Sequence, residues 1–292
     1  MVYLIILEFI VGQIPNSYSY KYNYIKTHGK DLKAIAIGHS QLYDGFVPES
    51  FYLRSFNLCN SAQSYVDNYY ILKELLPFMP NLEMTIMPIG YYNVSVVNAD
   101  SSLTDRCCYY HKYMNIDYDG RIPFKYKLEC LDPVRATDKV ISYYIDHIDI
   151  VGCDSSGRRN THNQHDKELP LNQEKILDSY TLKAYNNFCI KDGFYLIKTL
   201  EMLTKEKIQI IMVSPPYYWN YAKNINTMQK EFIKEQILDL CKKYPIKYLD
   251  FESDTAYQYD DFYNETHLSE IGAIKFTEQL NSLLNTDSLI VK

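Results

Sequence analysis

Apolar and polar residues follow two different spacings along the chain. Short, nearly uninterrupted apolar runs occur at residues 34–37, 55–58, 83–89, 208–213 and 246–249. Apolar positions at helical spacing occupy the longer segments at residues 66–77, about 175–204, 227–243 and 268–284. Uninterrupted apolar runs indicate strands buried on both faces, whereas apolar residues that recur every three or four positions indicate helices.

The order of these elements predicts the fold class. Strands that alternate with helices indicate a parallel sheet covered on both faces. Five such strands fit an α/β protein with a flavodoxin-like, doubly wound and mainly parallel sheet. Ligands of such sheets bind beyond the carboxyl ends of the strands. We therefore expect a single α/β domain over residues 33–292, with its chemistry at that edge.

Two parts of the chain depart from this alternation. Periodicity weakens between about residues 98 and 172, which predicts an insertion, partly helical at 134–148, that acts as a lid, substrate wall or oligomer contact. Residues 1–32 are a separate N-terminal segment, in which residues 2–12 form an apolar run interrupted by Glu8. This run is too short to span a bilayer and lacks the basic start of a secretory signal. The tail of a membrane anchor, an interfacial segment and a packed strand or helix are all open interpretations.

Composition limits the classes of partner. The 292 residues are 47% hydrophobic and 23% charged, which is typical of a globular protein with a sizeable core. A net charge of −6 without a basic stripe argues against a nucleic-acid partner. Seven cysteines without Cys-x-x-Cys spacing predict free buried thiols and neither zinc nor a disulfide framework. We expect no metal and no cofactor.

A serine follows the first predicted strand. Gly38-His39-Ser40 ends the run at 34–37, and the glycine permits a tight turn that leaves the serine amide available to a substrate oxygen. The same triplet is also typical of a simple turn and helix cap, in which His39 packs the loop.

His267 stands at the start of the last predicted helix, and we expect it to lie in the first turn. The helix dipole disfavours a positive imidazole there, so a catalytic histidine would need a carboxylate partner. Serine is a weak nucleophile unless a base lies within hydrogen-bond reach. Ser40 and His267 at one sheet edge would therefore make a hydrolytic centre.

These segments resemble the SGNH (GDSL-like) hydrolase and acyltransferase superfamily, more narrowly its Bacteroidetes-type members of unassigned substrate, over most of residues 33–280. Gly38-His39-Ser40 is similar to the Gly-Asp-Ser block, with His39 in place of aspartate. Asn264-Glu265-Thr266-His267, followed by Gly272-Ala273, is similar to the final Asp-x-x-His block. The resemblance implies an SGNH-type fold in which Ser40 is the nucleophile and His267 the base.

The resemblance also implies an oxyanion hole, which in this superfamily combines a serine amide, a glycine amide and an asparagine side chain. The segment 57–64 resembles the second block with Ala62 at the glycine position. The segment 90–93 resembles the third block with its asparagine one residue late. The implied oxyanion donors are the amides of Ser40 and Ala62 and the side chain of Asn93, with Asn60 or Gln63 as substitutes.

Asn264 stands where the superfamily has its aspartate. An amide carries no negative charge to stabilise imidazolium, so another carboxylate would have to serve. We prefer Asp261 for this role over its neighbours Asp260 and Glu265. A Ser-His dyad that uses a backbone carbonyl, or an impaired site, is the alternative.

Three further features invite functional interpretations. The segment 214–219 follows the fourth strand, and its Tyr217 and Trp219, together with His39, either contact a sugar substrate or simply pack. His162, His165 and Asp166 are more typical of a solvated loop than of a metal site. Arg158-Arg159 is more typical of a pair of surface side chains than of a contact for an acidic sugar or phosphate.

The sequence therefore predicts a serine-dependent ester hydrolase that acts on an acyl ester of a carbohydrate or other small carrier. The alternatives are an O-acyltransferase that modifies a cell-surface polysaccharide, a catalytically impaired binding protein of the same fold, and a cytosolic scaffold protein. The expected partner is a small-molecule or carbohydrate ester substrate, and the N-terminal segment suggests association with a membrane. We favour a membrane-associated or periplasmic location over a cytoplasmic one.

Overall fold

A five-stranded sheet organises the protein. The computed structural model describes residues 2–91, 106–148, 150–159 and 193–288. The strands run parallel in the order β2-β1-β3-β4-β5. They are β1 (Ala34–Ala36), β2 (Ser55–Asn57), β3 (Met84–Pro88), β4 (Gln209–Ser214) and β5 (Ile246–Asp250). The predicted α/β class with a flavodoxin-like, doubly wound sheet is confirmed.

Helices cover both faces of this sheet, and two helices pack against each other beside it. The helices are α1 (Val2–Gly12), α2 (Ser17–His28), α3 (Ser40–Gly45), α4 (Tyr65–Leu75), α5 (Cys107–Met114), α6 (Pro133–Tyr144), α7 (Phe194–Lys205), α8 (Trp219–Asn224), α9 (Thr227–Lys243) and α10 (Glu270–Ser288). The pair beside the sheet is α1 and α6. Single 3₁₀ turns lie at Gly29–Asp31, Pro48–Ser50, Leu76–Phe78, Tyr118–Gly120, Phe124–Tyr126, Glu129–Leu131 and Tyr259–Asp261. The part of the predicted helix that precedes residue 193 lies outside the described residues.

The core is divided between the two faces because strand side chains alternate. In β4, Ile210 and Met212 pack with α4, α7 and α9, whereas Ile211 and Val213 pack with α3 and α10. All four of these side chains are fully buried. A strand buried on both faces reads as a continuous apolar run, which is why the sequence identifies it.

The predicted start of the last helix is wrong. His267 lies in β7 (His267–Leu268), which pairs antiparallel with β6 (Phe262–Asn264), and α10 begins only at Glu270. The side chain of Asn264 accepts hydrogen bonds from the backbone amides of Thr266 and His267 and so closes a turn. Such local side-chain acceptors compete with helix formation. The helix therefore begins only after Ser269, whose hydroxyl accepts the Gly272 amide and caps it.

The apolar N-terminal run forms the helix α1, packed on the domain. Leu7 and Val11 are buried with Ala136 of α6, and Glu8 forms an ion pair with Lys112 at 2.5 Å. The opposite side of the helix exposes apolar side chains. Among the residues described, no helix is long and apolar enough to cross a membrane.

The thiols follow the sequence prediction as far as they are described. Six of the seven cysteines lie in the described ranges, and all six are free, five of them buried. Cys189 falls outside these ranges.

Candidate active site

Ser40 and His267 meet at the carboxyl edge of the sheet. Ser40 is the first residue of α3, directly beyond β1, and His267 lies in the β6–β7 hairpin. The Ser40 Oγ and His267 Nε2 atoms are 2.8 Å apart, which is a hydrogen bond. The predicted pairing in space is thus confirmed, while its catalytic use stays a prediction.

The turn between β1 and α3 requires its glycine. Gly38 has a φ of +149°, and a Cβ at this position would lie 2.4 Å from the Pro88 side chain. Glycine therefore lets the chain turn close against β3 and present Ser40.

His39 has a structural part in the same turn. Its Nδ1 accepts a hydrogen bond from the Gln41 amide, so it caps α3 and carries its proton on Nε2. Burial, assisted by the nearby His267, lowers the pKa of His39 to about 3 and keeps the ring neutral. The side chain is buried, so the predicted role of His39 in substrate binding is not supported.

Asn264 orients the imidazole of His267. Its Oδ1 lies 2.9 Å from His267 Nδ1 and also accepts the amides of Thr266 at 3.1 Å and His267 at 3.0 Å. Because two backbone N–H groups require an acceptor, the atom that faces the ring must be oxygen and not nitrogen. His267 Nδ1 consequently carries the proton, and Nε2 is left to accept from the Ser40 hydroxyl.

The preference for Asp261 as the partner of His267 is corrected by this geometry. The Asp261 carboxylate accepts the Gln258 amide at 2.8 Å, which caps a 3₁₀ turn, and it forms an ion pair with Lys275 at 2.7 Å. It is buried among those contacts, and Asn264 occupies the position beside Nδ1. The prediction named the right segment but the wrong side chain, because a residue that caps a short turn leaves no strong sequence pattern.

Gln41 joins the two halves of the site. Its Nε2 donates to the backbone carbonyl of Thr266 at 3.1 Å and so links α3 to the turn that carries His267. Sequence reasoning missed this residue, because its partner lies 225 positions away.

The backbone amides of Ser40 and Ala62 are the predicted oxyanion donors. Neither the Ser40 amide nor the Ala62 amide donates to another described residue. Ala62 has a φ of 49°, the left-handed conformation that favours glycine, which is the residue of the resembling block. The Asn60 amide donates to the Gly38 carbonyl at 3.1 Å and thereby holds this loop against the turn that precedes Ser40.

The side chains proposed as substitutes in the oxyanion hole are used elsewhere. Asn60 Nδ2 donates to Gln63 Oε1 at 3.1 Å, and Gln63 Nε2 donates to Asn68 at 2.8 Å. All three are buried, so these amides satisfy one another. The substitution by Asn60 or Gln63 is therefore not supported. Asn93 lies outside the described residues.

Lys21 packs against the oxyanion loop, the segment at residues 59–62 that carries the predicted oxyanion donor Ala62. Its ammonium donates to the Cys59 carbonyl, lies 3.4 Å from Asn60 Oδ1 and sits 4.0 Å above the Tyr43 ring. The side chain is completely buried, and burial lowers the pKa of Lys21 to about 8. Nothing in the sequence indicates this contact, because Lys21 belongs to the N-terminal segment.

Replacing Lys21 by methionine is expected to remove a pH dependence of stability. The pKa of Lys21 is lower in the folded state, at about 8, than its ordinary value of 10.5. Below pH 8 both states hold the proton, and between pH 8 and 10.5 the folded state holds fewer protons than the unfolded state. The free energy of unfolding of the wild type should therefore increase relative to that of Lys21→Met as pH rises through this window. Urea unfolding of both proteins at several pH values measures the difference, and a constant difference would contradict the burial of a charged lysine.

The loop after β4 supplies less substrate surface than predicted. Tyr217 is buried, its hydroxyl lies 3.4 Å from Glu252 Oε1, and its ring packs on Tyr221. Trp219 is 58% exposed and remains available to a ligand. The predicted stacking role is consequently not supported for Tyr217.

Glu252 is a buried carboxylate that sequence reasoning missed. It follows β5, accepts the Tyr91 amide at 2.8 Å and lies 3.5 Å from the Lys230 ammonium. Burial raises its pKa. A Cβ at Gly90 would lie 2.5 Å from this carboxylate, so Glu252 fixes the backbone that leaves β3.

Metal ligands do not cluster in the described part of the chain, where no group of three or more His, Cys, Asp or Glu side chains could hold an ion. His162, His165 and Asp166 lie outside that part.

No protein-family model matches the chain, and no curated protein matches it significantly. The functional conclusion therefore rests on the parallel α/β sheet and on the Ser-His-Asn arrangement at its carboxyl edge.

Proposed function

We propose that the protein is a serine-dependent ester hydrolase that acts on an acyl ester of a carbohydrate or other small carrier. One observation carries the proposal: Asn264 Oδ1 lies 2.9 Å from His267 Nδ1, and His267 Nε2 lies 2.8 Å from Ser40 Oγ. A neutral histidine in this tautomer is ready to take the serine proton, which is how serine becomes nucleophilic.

The reaction follows the order of an acyl-enzyme mechanism. Ser40 Oγ attacks the ester carbonyl carbon while its proton moves to His267 Nε2. The amides of Ser40 and Ala62 stabilise the negative charge on the carbonyl oxygen. As the tetrahedral intermediate collapses, His267 returns the proton to the departing alkoxide. Water then gives a proton to His267 Nε2 and attacks the acyl carbon. As the second tetrahedral intermediate collapses, the bond between the acyl carbon and Ser40 Oγ breaks, His267 returns the proton to Oγ, and the free acid leaves.

Asn264 permits this chemistry at a reduced rate. Its oxygen holds the ring in the required tautomer, a role that asparagine also has in the Cys-His-Asn arrangement of papain-like proteases. An amide dipole stabilises imidazolium less than a carboxylate does. We therefore expect a working but slow site.

An O-acyltransferase that modifies a cell-surface polysaccharide is the second candidate. It shares every step up to the acyl-enzyme, after which a sugar hydroxyl replaces water. The apolar outer side of α1 favours it, because Val2, Ile5 and Phe9 are each more than 60% exposed and suit contact with a lipid surface. A polysaccharide acceptor at the cell surface would then be close.

Active-site labelling tests the proposal. We expect a fluorophosphonate probe to modify Ser40, and peptide mass spectrometry locates the adduct. The rate of 4-nitrophenyl acetate hydrolysis should fall in proportion to the fraction of Ser40 that is labelled. Heat-unfolded protein is the control and should not be labelled. Labelling with acetyl transfer to an added oligosaccharide in place of hydrolysis would identify the transferase. Native protein that neither reacts at Ser40 nor hydrolyses the ester would instead be an impaired binding protein.

A further inference from the structure

A cleft of about 370 Å³ opens beside the proposed oxyanion loop. Asn60 and Ser61 of this loop and Tyr43 of α3 form part of its wall. Ser61 is the residue before Ala62, and Tyr43 lies three residues after Ser40. The cleft therefore borders the helix that begins at Ser40 and the loop that carries Ala62.

The lining of the cleft is cationic. Arg106, Lys139 and Arg159 line it, and within the described ranges no carboxylate does. Arg159 pairs with Asp44 at 2.8 Å and Lys139 with Glu129 at 2.9 Å, both carboxylates lying outside the lining. The whole chain has a net charge of −6, so a cationic cleft does not follow from overall composition.

Arg106 contributes a charge that no described carboxylate pairs directly, although the buried Asp67 carboxylate interacts with it electrostatically. Its Nη1 donates to the Ser61 carbonyl at 2.6 Å, and no carboxylate of the described residues lies within ion-pair distance of it. A guanidinium has five N–H donors in a planar fork, which suits a carboxylate or phosphate as well as the carbonyl already bound.

Tyrosine rings complete the cleft. Tyr18 and Tyr109 stack with ring centroids 5.3 Å apart, and the Arg159 guanidinium lies 4.9 Å from the centre of the Tyr43 ring. Flat aromatic rings with polar hydroxyls provide apolar area and hydrogen bonds at once. Rings of this kind beside guanidinium groups match a ligand with both an apolar ring face and a negative charge.

We propose that this cleft binds the anionic group of an acidic saccharide, a carboxylate or a phosphate monoester on a sugar ring, whose acyl ester is presented to Ser40. The inference rests on the proposed function and names its class of substrate. Arginine binds either anion through paired N–H groups, and lysine adds a point charge. The tyrosine rings contact the sugar, and the Ser61 backbone connects the cleft to the Ala62 amide.

Ligand binding without turnover tests this inference. Calorimetry on the full chain carrying Ser40→Ala compares trigalacturonate with its neutral methyl ester, and glucose 6-phosphate with glucose. We expect one anion to bind at least about tenfold more tightly than its neutral counterpart, since hydrogen bonds to charged groups are the stronger ones. The preferred pair identifies the carboxylate or the phosphate as the recognised group.

Charge-removing variants locate the site. Arg106→Gln is expected to raise the Kd of the preferred anion about tenfold and to leave the Kd of the neutral counterpart unchanged. Lys139→Gln, which does not contact the oxyanion loop, should act in the same direction and serves if Arg106→Gln folds poorly. Arg54→Gln removes an exposed cation outside the cleft and is the matched control.

The possible failures can be told apart. Equal affinity for charged and neutral sugars, or an equal loss of both in Arg106→Gln and in Lys139→Gln, would overturn the inference and leave these side chains a structural role. Fluorophosphonate labelling of Ser40 would still support the esterase in that case. Charge-selective binding without labelling would retain the cleft and reject the hydrolase.

Discussion

Replacing Ser40 by alanine is expected to lower kcat for a small acetyl ester by about 10⁴- to 10⁶-fold. The change removes the oxygen that attacks the carbonyl and leaves His267 Nε2 without its partner at 2.8 Å. Binding and any oxyanion donors would remain, so KM should change little. Initial rates with 4-nitrophenyl acetate over a range of concentrations measure both constants, and mass spectrometry should show no fluorophosphonate adduct.

A double substitution tests whether Ser40 and His267 act in the same catalytic step or whether either change simply disrupts the fold. Ser40 and His267 act as a unit, so Ser40→Ala combined with His267→Ala should cost little more than either change alone. Ser253→Ala, an exposed serine bonded to Lys230 at 2.7 Å, is the matched control and should keep wild-type rates. Retention of more than about 1% of the wild-type rate in Ser40→Ala would place the reaction elsewhere, given the losses seen on removing other serine nucleophiles.

The sheet could be predicted from the sequence because its strands are buried on both faces. Residues such as Ile210 and Ile211 face opposite helical layers, so both must be apolar, and the run is visible without structural information. The parallel direction of the strands follows from the alternation with helices. That alternation also brings Ser40 and His267 to one edge, even though 227 positions separate them.

The details of the site depend on contacts that leave no periodic pattern. The Asn264 oxygen accepts two amides within its own turn, which moved the helix start beyond His267 and settled the ring tautomer. Lys21 reaches the oxyanion loop from α2, which precedes the α/β domain predicted at residues 33–292. A hydrogen bond to the Ser61 carbonyl orients the Arg106 side chain. Each is a single polar contact between distant or irregular segments.

Replacing Asn264 by aspartate is expected to raise kcat/KM by about ten- to a hundredfold, a gain of about 1.4 to 2.7 kcal/mol in transition-state stabilisation. The opposite change in a serine protease lowers turnover by about 10⁴, but largely through the wrong histidine tautomer. Here Asn264 Oδ1 already holds Nδ1–H at 2.9 Å, so the carboxylate adds only its charge. The acid limb of the pH–rate profile should also move to higher pH, because a negative neighbour favours imidazolium.

The substitution is well matched to its surroundings. Asn264 Nδ2 donates to no described residue, so an oxygen in its place breaks none of the hydrogen bonds seen there, and Oδ1 keeps the amides of Thr266 and His267. Asn23→Asp adds the same charge at an exposed position and should leave kcat/KM unchanged. Asn264→Ala removes the acceptor and should lower kcat/KM. If aspartate gave no gain while alanine gave no loss, the third residue would have no part in catalysis, and Ser40 with His267 would act as a dyad.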